Sequence, residues 1–498
     1  MDVVFAIAPI VVIFVLLFLF KQSSTNASLI SYIAAIVIGF SSPAFSMNIS
    51  SLFDATVEGL LLTVIVAYVL LFGIWLFHLM NEAGLIREIA DFIANSTQDR
   101  TRQALMLVIA FSPLVESISG FGIAVIVVAP ILIALGFPKI QAAMLSLISL
   151  TAVPWGALST GTVIGANLTG ISVHSLGAGT ASLSIFVFLY FTLITVLIVG
   201  GWKEVQRKWL EILTVSGSLF ASIWFFSRFV SVELAGVFAS LVTLFVEWLW
   251  IRLTETSSLK NANEKKQLND LLKALSPYLL LTGMLFLSRL VPPFTNWLLA
   301  HATLEIEKYS FQLPLVYSPG FFLFLTCLFV IGRFHVASET IKKTLKETWK
   351  QWVPVNVSMF GFVAMAQVMM YSGMTDLLAE TSADKLGNIF IVLAPLIGAM
   401  GGFLTGSNTG SNAMFMKLQV QTAELLQLPP ELIANSQNAS AGHITMASPS
   451  RVLLSATISQ VRHEESKLLK RLALIAGGAL FIIILQSVVS YFVALFTI

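Results

Sequence analysis

Long apolar stretches separated by short polar segments run along almost the whole chain of 498 residues. Twelve of these stretches reach or approach the length of about 20 residues that a helix needs to cross a bilayer. They occupy 3–20, 27–48, 59–79, 140–170, 183–200, 211–228, 232–250, 275–291, 319–333, 352–372, 439–460 and 472–497. The pattern predicts an all-α, polytopic membrane protein with about twelve transmembrane helices.

The composition excludes an ordinary soluble domain. Hydrophobic residues make up 57% of the chain and charged residues 11%, whereas soluble domains have about 25% charged residues. Cys327 is the single cysteine, so an internal disulfide and a cysteine-based metal site are excluded. The first stretch precedes its nearest basic residue, Lys21, which is the reverse of a secretory signal, and we expect it to be a retained first span.

Two further apolar segments, 103–138 and 386–416, are interrupted by polar and glycine residues. The first contains SISGFG at 117–122 and the second SNTGSN at 407–412, which is 290 positions later. Backbone can be non-helical at membrane depth only where it lines a protein cavity. A paired interruption is typical of transporters built from two repeats, and it predicts a ligand between the two motifs. The alternative is that the small residues only let helices pack closely.

Lysine and arginine residues indicate the topology of these two segments. Twenty of the 28 basic residues fall in five loops, whereas three other loops hold only Lys308. All five basic loops face the cytoplasm only if both segments enter the membrane and return on the same side. The five loops are 80–103, 202–210, 252–273, 333–350 and 461–471. The sequence therefore predicts two re-entrant helical hairpins that enter from opposite faces, as an inverted repeat requires.

The same arrangement divides the chain into three predicted parts. Repeat 1 covers 1–205, with spans 1–5 and the hairpin at 103–138. A connecting part, 206–272, contains spans 6–7 and a cytoplasmic loop. Repeat 2 covers 273–498, with spans 8–12 and the hairpin at 386–416.

The two motifs, together with Glu116, Gly406 and the later residues 437–442 (QNASAG), resemble the bacterial L-lactate permease family over essentially the whole chain. The resemblance implies proton-coupled uptake of L-lactate or a similar small 2-hydroxymonocarboxylate such as glycolate. It also implies an elevator-like movement of a hairpin-bearing domain in a bacterial inner (plasma) membrane. No cofactor is implied beyond the proton as coupling ion.

The SNT sequence at 407–409 also resembles the hairpin tip of sodium-coupled dicarboxylate transporters. In that group both tips carry the asparagine, whereas here Ile118 takes its place in the first tip. A sodium-coupled carboxylate transporter therefore stays open as an alternative, and so does an anion channel.

The predicted tips contain groups suited to a hydroxy acid. Interrupted helices present N-termini that attract a carboxylate. Serine and threonine hydroxyls donate to carboxylate oxygens, and amides both donate to and accept from a 2-hydroxyl group. The candidate substrate-binding residues are Ser117, Ser119, Gly120, Ser407, Asn408, Thr409, Gly410, Asn412 and Gln437. The alternative for the polar side chains is a local cap or turn.

Three ionisable residues are candidates for handling the proton or the charge of the substrate. Glu116 is the only charged residue of 103–138, and it either carries the coupling proton or pins the hairpin to a neighbouring helix. His443 either shares that proton or is a packing residue. Arg451 either neutralises the substrate carboxylate or holds a carboxylate of the protein such as Glu116.

Other function classes have no support in the sequence. A Walker-type phosphate loop and the His-Glu-x-x-His and Gly-x-Ser-x-Gly motifs are missing. We therefore expect a transporter and no enzyme, with a small carboxylate and the lipid bilayer as partners and without nucleic acid. The sequence leaves the oligomeric state open, a homo-oligomer included.

Overall fold

The computed structural model describes residues 1–45, 47–255 and 264–497, and helices make up most of these ranges. Part of the basic loop 252–273 therefore lies outside the described residues. The helices before residue 208 are α1 Asp2–Phe18, α2 Ser24–Ser41, α3 Ile49–Glu82, α4 Leu85–Ser96, α5 Arg100–Leu105, α6 Ser112–Ser119, α7 Ile123–Ala134, α8 Lys139–Ile148, α9 Gly156–Thr169 and α10 Val173–Arg207. A π-helical turn, Met106–Phe111, joins α5 to α6.

Two long helices connect this part to the second half of the chain. They are α11 Trp209–Phe229 and α12 Val232–Thr254. The later elements are α13 Glu264–Leu290, α14 Pro292–Ala300, β1 Thr303–Ile306, β2 Phe311–Pro314, α15 Pro319–Arg333, α16 Ser338–Tyr371, α17 Met374–Leu386, α18 Phe390–Thr405, α19 Asn408–Leu425, α20 Pro430–Ile444, α21 Pro449–Ile458 and α22 Glu465–Thr497. Strands β1 and β2 form an antiparallel hairpin that the sequence analysis missed.

The succession of elements from α3 to α10 recurs from α16 to α22. Helices α3 and α16 both have 34 residues, and each is followed by a short helix, α4 or α17. Next comes a pair of helices separated by a glycine turn, which is α6–α7 in the first half and α18–α19 in the second. A second interrupted pair follows, α8–α9 or α20–α21. Each series ends with a long helix, α10 with 35 residues or α22 with 33. The two halves of the chain therefore share one order of elements.

The prediction of a polytopic helical membrane protein is confirmed. Within the described ranges, ten helices are long and apolar enough to cross a membrane, or eleven if the bent pair α8–α9 counts as one span. Eight of the twelve predicted spans are among these ten helices. Of the other four, α1 and α15, with 17 and 15 residues, are apolar but short, and the spans at 140–170 and 439–460 are interrupted. Two of the ten, Arg100–Ser119 and Met374–Thr405, include the first arms of the predicted hairpins.

Two predicted continuous spans are in fact interrupted, and the sequence analysis was wrong there. Span 140–170 is bent by 60° between α8 and α9, and span 439–460 is broken between α20 and α21. Pro154 and Pro449 lie at these interruptions. Proline lacks the backbone N–H that a helix needs and disfavours helical backbone in the residue before it, so an apolar run that contains it stops being helical.

The interruptions inside 103–138 and 386–416 occur where the sequence predicts them, but they are shorter than predicted. The turn between α6 and α7 contains residues 120–122, so 117–119 are still helical. The turn between α18 and α19 contains only Gly406 and Ser407, so 408–412 form the start of α19. Helix α19 continues to residue 425, beyond the predicted end of the segment at 416.

Packing of the long helices brings these interruptions together. Helix α16 packs against α2 and α3, and this group lies on one side of the site. Helix α9 packs against α6, α12 and α19, so it lies between the two glycine turns. Large side chains such as Trp155 and Phe188 are completely buried around it. The site described next lies at this meeting point.

Candidate functional site

Both glycine turns and the bend before α9 border one small internal cavity of about 20 Å³, which is room for about one water molecule. Helix α21 contributes one further side chain. The cavity is lined by Glu116, Gly120, Phe121, Val153, Gly156, Ala157, Thr160, Gly161, Ser407, Asn408, Thr409 and Arg451. Residues from four separate parts of the chain therefore form a common wall.

A larger cavity of about 400 Å³ adjoins the small one. The two cavities share the side chains of Phe121, Thr160, Ser407, Thr409 and Arg451. The opposite wall comes from α2, α3 and α16 and is partly apolar. Its residues are Ser24, Thr25, Leu70, Pro354, Val355, Ser358, Met359 and Phe362. The larger cavity thus has a polar wall at the glycine turns and a partly apolar wall on the long helices.

The second glycine turn places the N-terminus of α19 beside both cavities. Gly406 has a φ of 65°, a left-handed conformation that ends α18. The Ser407 hydroxyl then caps α19 by accepting a hydrogen bond of 3.1 Å from the N–H of Gly410. The N-terminus of this 18-residue helix carries a partial positive charge. This arrangement attracts an anion.

A buried ion pair joins the two glycine turns. Glu116 Oε1 accepts hydrogen bonds from the N–H of Gly122 at 3.1 Å and from Nη1 of Arg451 at 3.4 Å. The Nε of Arg451 also donates to the carbonyl of Gly406 at 3.1 Å. Only 2% of the Glu116 side chain and 7% of the Arg451 side chain is exposed. Such a pair must be complete, because either charge alone would be buried without compensation.

Comparison with known proteins decides the family. The model of the L-lactate permease family matches residues 2–316 and 299–496. The chain belongs to this family. Its sequence is 26% identical over 477 residues to an L-lactate permease of Halalkalibacterium halodurans, covering 90% of this chain and 89% of the relative. It is 25% identical over 518 residues to the glycolate permease GlcA of Escherichia coli, covering 93% and 91%.

This membership confirms the resemblance found in the sequence motifs. Together with the apolar helices, it makes the protein a multi-pass integral membrane protein of a bacterial plasma membrane. Among solved structures, the chain is similar to MtrF of Neisseria gonorrhoeae, which is described within a class of antimetabolite efflux pumps. The TM-score is 0.48 at 12% identity, covering 95% of this chain and 96% of MtrF.

Several of the candidate residues of this lactate permease family member lie together at the cavities. Gly120, Asn408 and Glu116 line the small cavity, Gly410 lines the large one, and two others line both. Those two are Ser407 and Thr409. Because Thr409 lies only 3.1 Å from the hydroxyl of Thr160, it is at the boundary between the halves of the chain.

Four of the substrate-binding candidates lie outside both cavities. Ser119 donates to the carbonyl of Val115 within its own helix at 2.6 Å. Ser117 packs against Gly236 of α12 so closely that a methyl group at that glycine would collide with its hydroxyl. Asn412 and Gln437 are completely buried behind the second turn.

A network of buried amides holds Asn412 and Gln437 there. Asn438 is its centre, because its carbonyl oxygen accepts from Asn408 at 2.9 Å and from Asn412 at 2.8 Å. Its nitrogen donates to Thr162 and Thr180, at 2.9 Å in both cases. The sequence analysis missed the role of Asn438, although it adjoins Gln437 in the QNASAG segment. The network fixes the start of α19 against α9, α10 and α20.

His443 packs against α10. Its Nε2 lies 2.9 Å from the Ser184 hydroxyl, and its ring packs edge-on against Phe188 and Phe191 with ring centroids 5.8 Å apart. It lines neither of the two cavities. The packing interpretation of this histidine therefore fits its surroundings better than proton exchange with Glu116.

The described residues contain no group of three or more histidine, cysteine, aspartate or glutamate side chains that could hold a metal ion.

Arg451 is central to the site, because it lines both cavities and contacts both turns. The apolar wall on α16, including Met359 and Phe362, had no signal in the sequence. These side chains resemble any other apolar residues of a membrane helix.

Proposed function

We propose that this protein is a secondary active transporter that imports L-lactate, or a similar small 2-hydroxymonocarboxylate such as glycolate, by proton symport. Relatives named L-lactate permease and glycolate permease support the substrate class. The single observation that carries the coupling proposal is the buried Glu116–Arg451 ion pair between the two glycine turns. The substrate leaves the protein chemically unaltered, so the protein is not an enzyme.

The shared wall of the two cavities offers the chemistry that a hydroxy acid requires. A carboxylate is attracted by the N-terminus of α19 and by the guanidinium of Arg451. The hydroxyls of Thr160 and Thr409 both donate and accept, as a 2-hydroxyl group needs. Leu70 and Phe362 on the opposite wall suit the short alkyl part of the acid.

Glu116 is proposed as the group that carries the coupling proton. Its carboxylate is charged while Arg451 compensates it, and a buried carboxylate without a cation takes up a proton. A carrier loaded with lactate and a proton is nearly neutral at its centre. A carrier that holds lactate while Glu116 is still ionised would have one uncompensated negative charge at its centre, and it would resist crossing the membrane.

We further propose that the glycine turns are tips of two re-entrant hairpins in an inverted repeat, with the domain division at 1–205, 206–272 and 273–498. The recurring order of elements supports this proposal. The hairpins move together in an elevator-like manner against the wall formed by α2, α3 and α16. The larger cavity borders Ser24 and Thr25 at the start of α2, next to Lys21, so we assign it to the cytoplasmic side.

Thiol labelling tests this topology. Cysteines introduced at Ser112 and Val128 should react at comparable depths, because they lie on the two arms of one hairpin. Labelling that places residues 104 and 136 on opposite sides of the membrane would contradict the hairpin.

Sodium-coupled carboxylate transport is a second candidate. Glu116 Oε2 and Asn408 Oδ1 are buried oxygens without a hydrogen-bond partner in the described part of the chain, and both residues line the small cavity. Oxygen ligands of this kind also suit a small cation. We prefer the proton because Arg451 already occupies one side of the same cavity with positive charge.

Uptake of labelled L-lactate into proteoliposomes tests the proposal. We expect accumulation above equilibrium when only a proton gradient, acidic outside, is imposed, and none when only a sodium gradient is imposed. Accumulation that depends on sodium alone would favour the second candidate, and saturation-free uptake that never exceeds equilibrium would indicate a channel. Protein-free liposomes, and recovery of unaltered lactate, serve as controls.

A further inference from the structure

Two of the three nitrogen atoms of the Arg451 guanidinium donate hydrogen bonds to the protein. Its Nε and Nη1 bind Gly406 and Glu116, whereas Nη2 has no hydrogen-bond partner among the residues that the structure describes. A guanidinium has five N–H donors, and it binds carboxylates best through two parallel hydrogen bonds. Arg451 therefore has donors left for a second anion.

The bond between Arg451 and Glu116 is also loose. It is a single contact of 3.4 Å, longer than the 2.7–2.9 Å typical of charge-assisted hydrogen bonds. Arg102 of the same protein shows the tighter alternative, since it binds Glu211 through Nε at 3.0 Å and through Nη2 at 3.1 Å. The Arg451 pair is thus geometrically suited to exchange its anion.

The positions of the two residues set the order in which a ligand meets them. Arg451 lines both the larger cavity and the small one, whereas Glu116 lines only the small one. A carboxylate that enters through the larger cavity reaches the guanidinium before it reaches Glu116. Among the residues that the structure describes, Glu116 and Arg451 are the only charged side chains that line the small cavity, so Arg451 is the one cation there that compensates Glu116.

We infer that Arg451 is the substrate-carboxylate ligand and that the entering substrate displaces Glu116 from it, so that substrate binding itself makes Glu116 take up a proton from solvent. This inference rests on the proposed function and adds its coupling step. Charge is balanced at each point: one anion replaces another on Arg451, and the released carboxylate becomes neutral. Binding and protonation are then obligatorily linked, with about one proton per substrate.

Proton uptake by the purified, detergent-solubilised protein tests this directly. L-Lactate is added in weakly buffered solution containing a pH indicator, and lactate affinity is measured across pH. We expect the wild-type protein to take up about one proton per bound lactate. The Kd for lactate should then rise about tenfold for each unit by which the pH is increased. Glu116→Gln should bind lactate without proton uptake and with an affinity that does not depend on pH.

Substitutions of Arg451 separate binding from support of the fold. Arg451→Gln should lower lactate affinity roughly tenfold or more, and Arg451→Lys should lower it less, because lysine keeps the charge without the fork. The double variant Glu116→Gln/Arg451→Gln has no unpaired buried charge. If Arg451 only neutralises Glu116, the double variant regains wild-type affinity, and if Arg451 binds the substrate, its affinity stays low.

Arg471→Gln is the matched control, because Arg471 is exposed on α22 and lies outside both cavities. It should bind lactate with the wild-type affinity and proton count. Proton uptake that persists in Glu116→Gln, or wild-type affinity in the double variant, would overturn the inference. A failure of the proposed function would be seen in a different experiment. In proteoliposomes, the wild-type protein would then show no lactate accumulation driven by a proton gradient.

Discussion

The hydroxyl oxygens of Thr160 and Thr409 lie 3.1 Å apart, although 249 positions separate the two residues. One belongs to α9 in the first half of the chain and the other to the first turn of α19 in the second half. Both line the two cavities. The halves of the protein thus meet at the cavities through two hydroxyl groups that can both donate and accept hydrogen bonds.

Thr409→Ala should weaken lactate binding by roughly 1.5–3 kcal/mol, the typical cost of one lost hydrogen bond to a charged group. Ser407→Ala should do the same and also lose the cap of α19, which costs about 1 kcal/mol of stability. Binding by titration calorimetry and thermal unfolding separate the two effects. Propionate lacks the 2-hydroxyl group. If a tip side chain hydrogen-bonds that group, the substitutions should weaken propionate binding less than lactate binding. Unchanged lactate binding in both variants would place the site elsewhere.

Glu116→Gln should retain exchange of lactate between two lactate-loaded compartments but lose accumulation driven by a pH gradient. Glutamine keeps the size and hydrogen bonding of the side chain while fixing it in the neutral state. Labelled lactate flux in proteoliposomes measures both activities. If Glu116 only pins the first turn, exchange and accumulation should instead fall together, with poor expression.

Asn412→Ala should act mainly on stability. Its amide nitrogen donates to the Gly161 carbonyl at 3.0 Å and to Asn438 at 2.8 Å, completely away from solvent. Leaving those buried acceptors with fewer partners costs roughly 1–3 kcal/mol. A lower melting temperature with near-normal lactate affinity in the protein that remains folded is expected. A large loss of affinity at unchanged melting temperature would instead support direct contact with the substrate.

Gly161→Ala should impair transport because a methyl group has no room there. A Cβ at this position would lie 2.6 Å from Nδ2 of Asn408 and 2.9 Å from the backbone nitrogen of Thr409. Overpacking of this kind costs roughly 1–3 kcal/mol and displaces the second turn. Gly217→Ala on α11 is the control, since it meets nothing within 4 Å and should be neutral or slightly stabilising. Equal transport rates in the two variants would contradict close packing at the turn.

Glu247→Gln should leave the melting temperature nearly unchanged. Both oxygens of this buried carboxyl lack a hydrogen-bond donor in the described ranges, and a buried carboxylate without donors is strongly disfavoured. We therefore expect Glu247 to be neutral beside Glu211. Glu211→Gln, by contrast, removes one of the two charged partners of Arg102, the other being Glu255, and should cost roughly 1–3 kcal/mol. A comparable loss of stability in both variants would indicate that Glu247 is ionised.

The sequence alone determined the class of protein, most of the membrane helices, the family, and the two glycine turns. These features depend on local properties of the chain. An apolar run partitions into the bilayer whatever its neighbours are, and a glycine with left-handed backbone, such as Gly406, ends a helix by itself. Pro154 and Pro449 carried the same kind of local signal for the two further interruptions, but the surrounding apolar residues obscured it.

Only the tertiary structure decided which of the polar candidates meet. Arg451 and Glu116 are 335 positions apart, and their pairing depends on how α21 crosses the first glycine turn. Other helix contacts, those of α19 with α9 and α20 and of α20 with α10, bury Asn412 in an amide network and pack His443 against aromatic rings. A side chain's type fixes what it can bind, but the helices that pack around it determine whether it faces a cavity or another side chain.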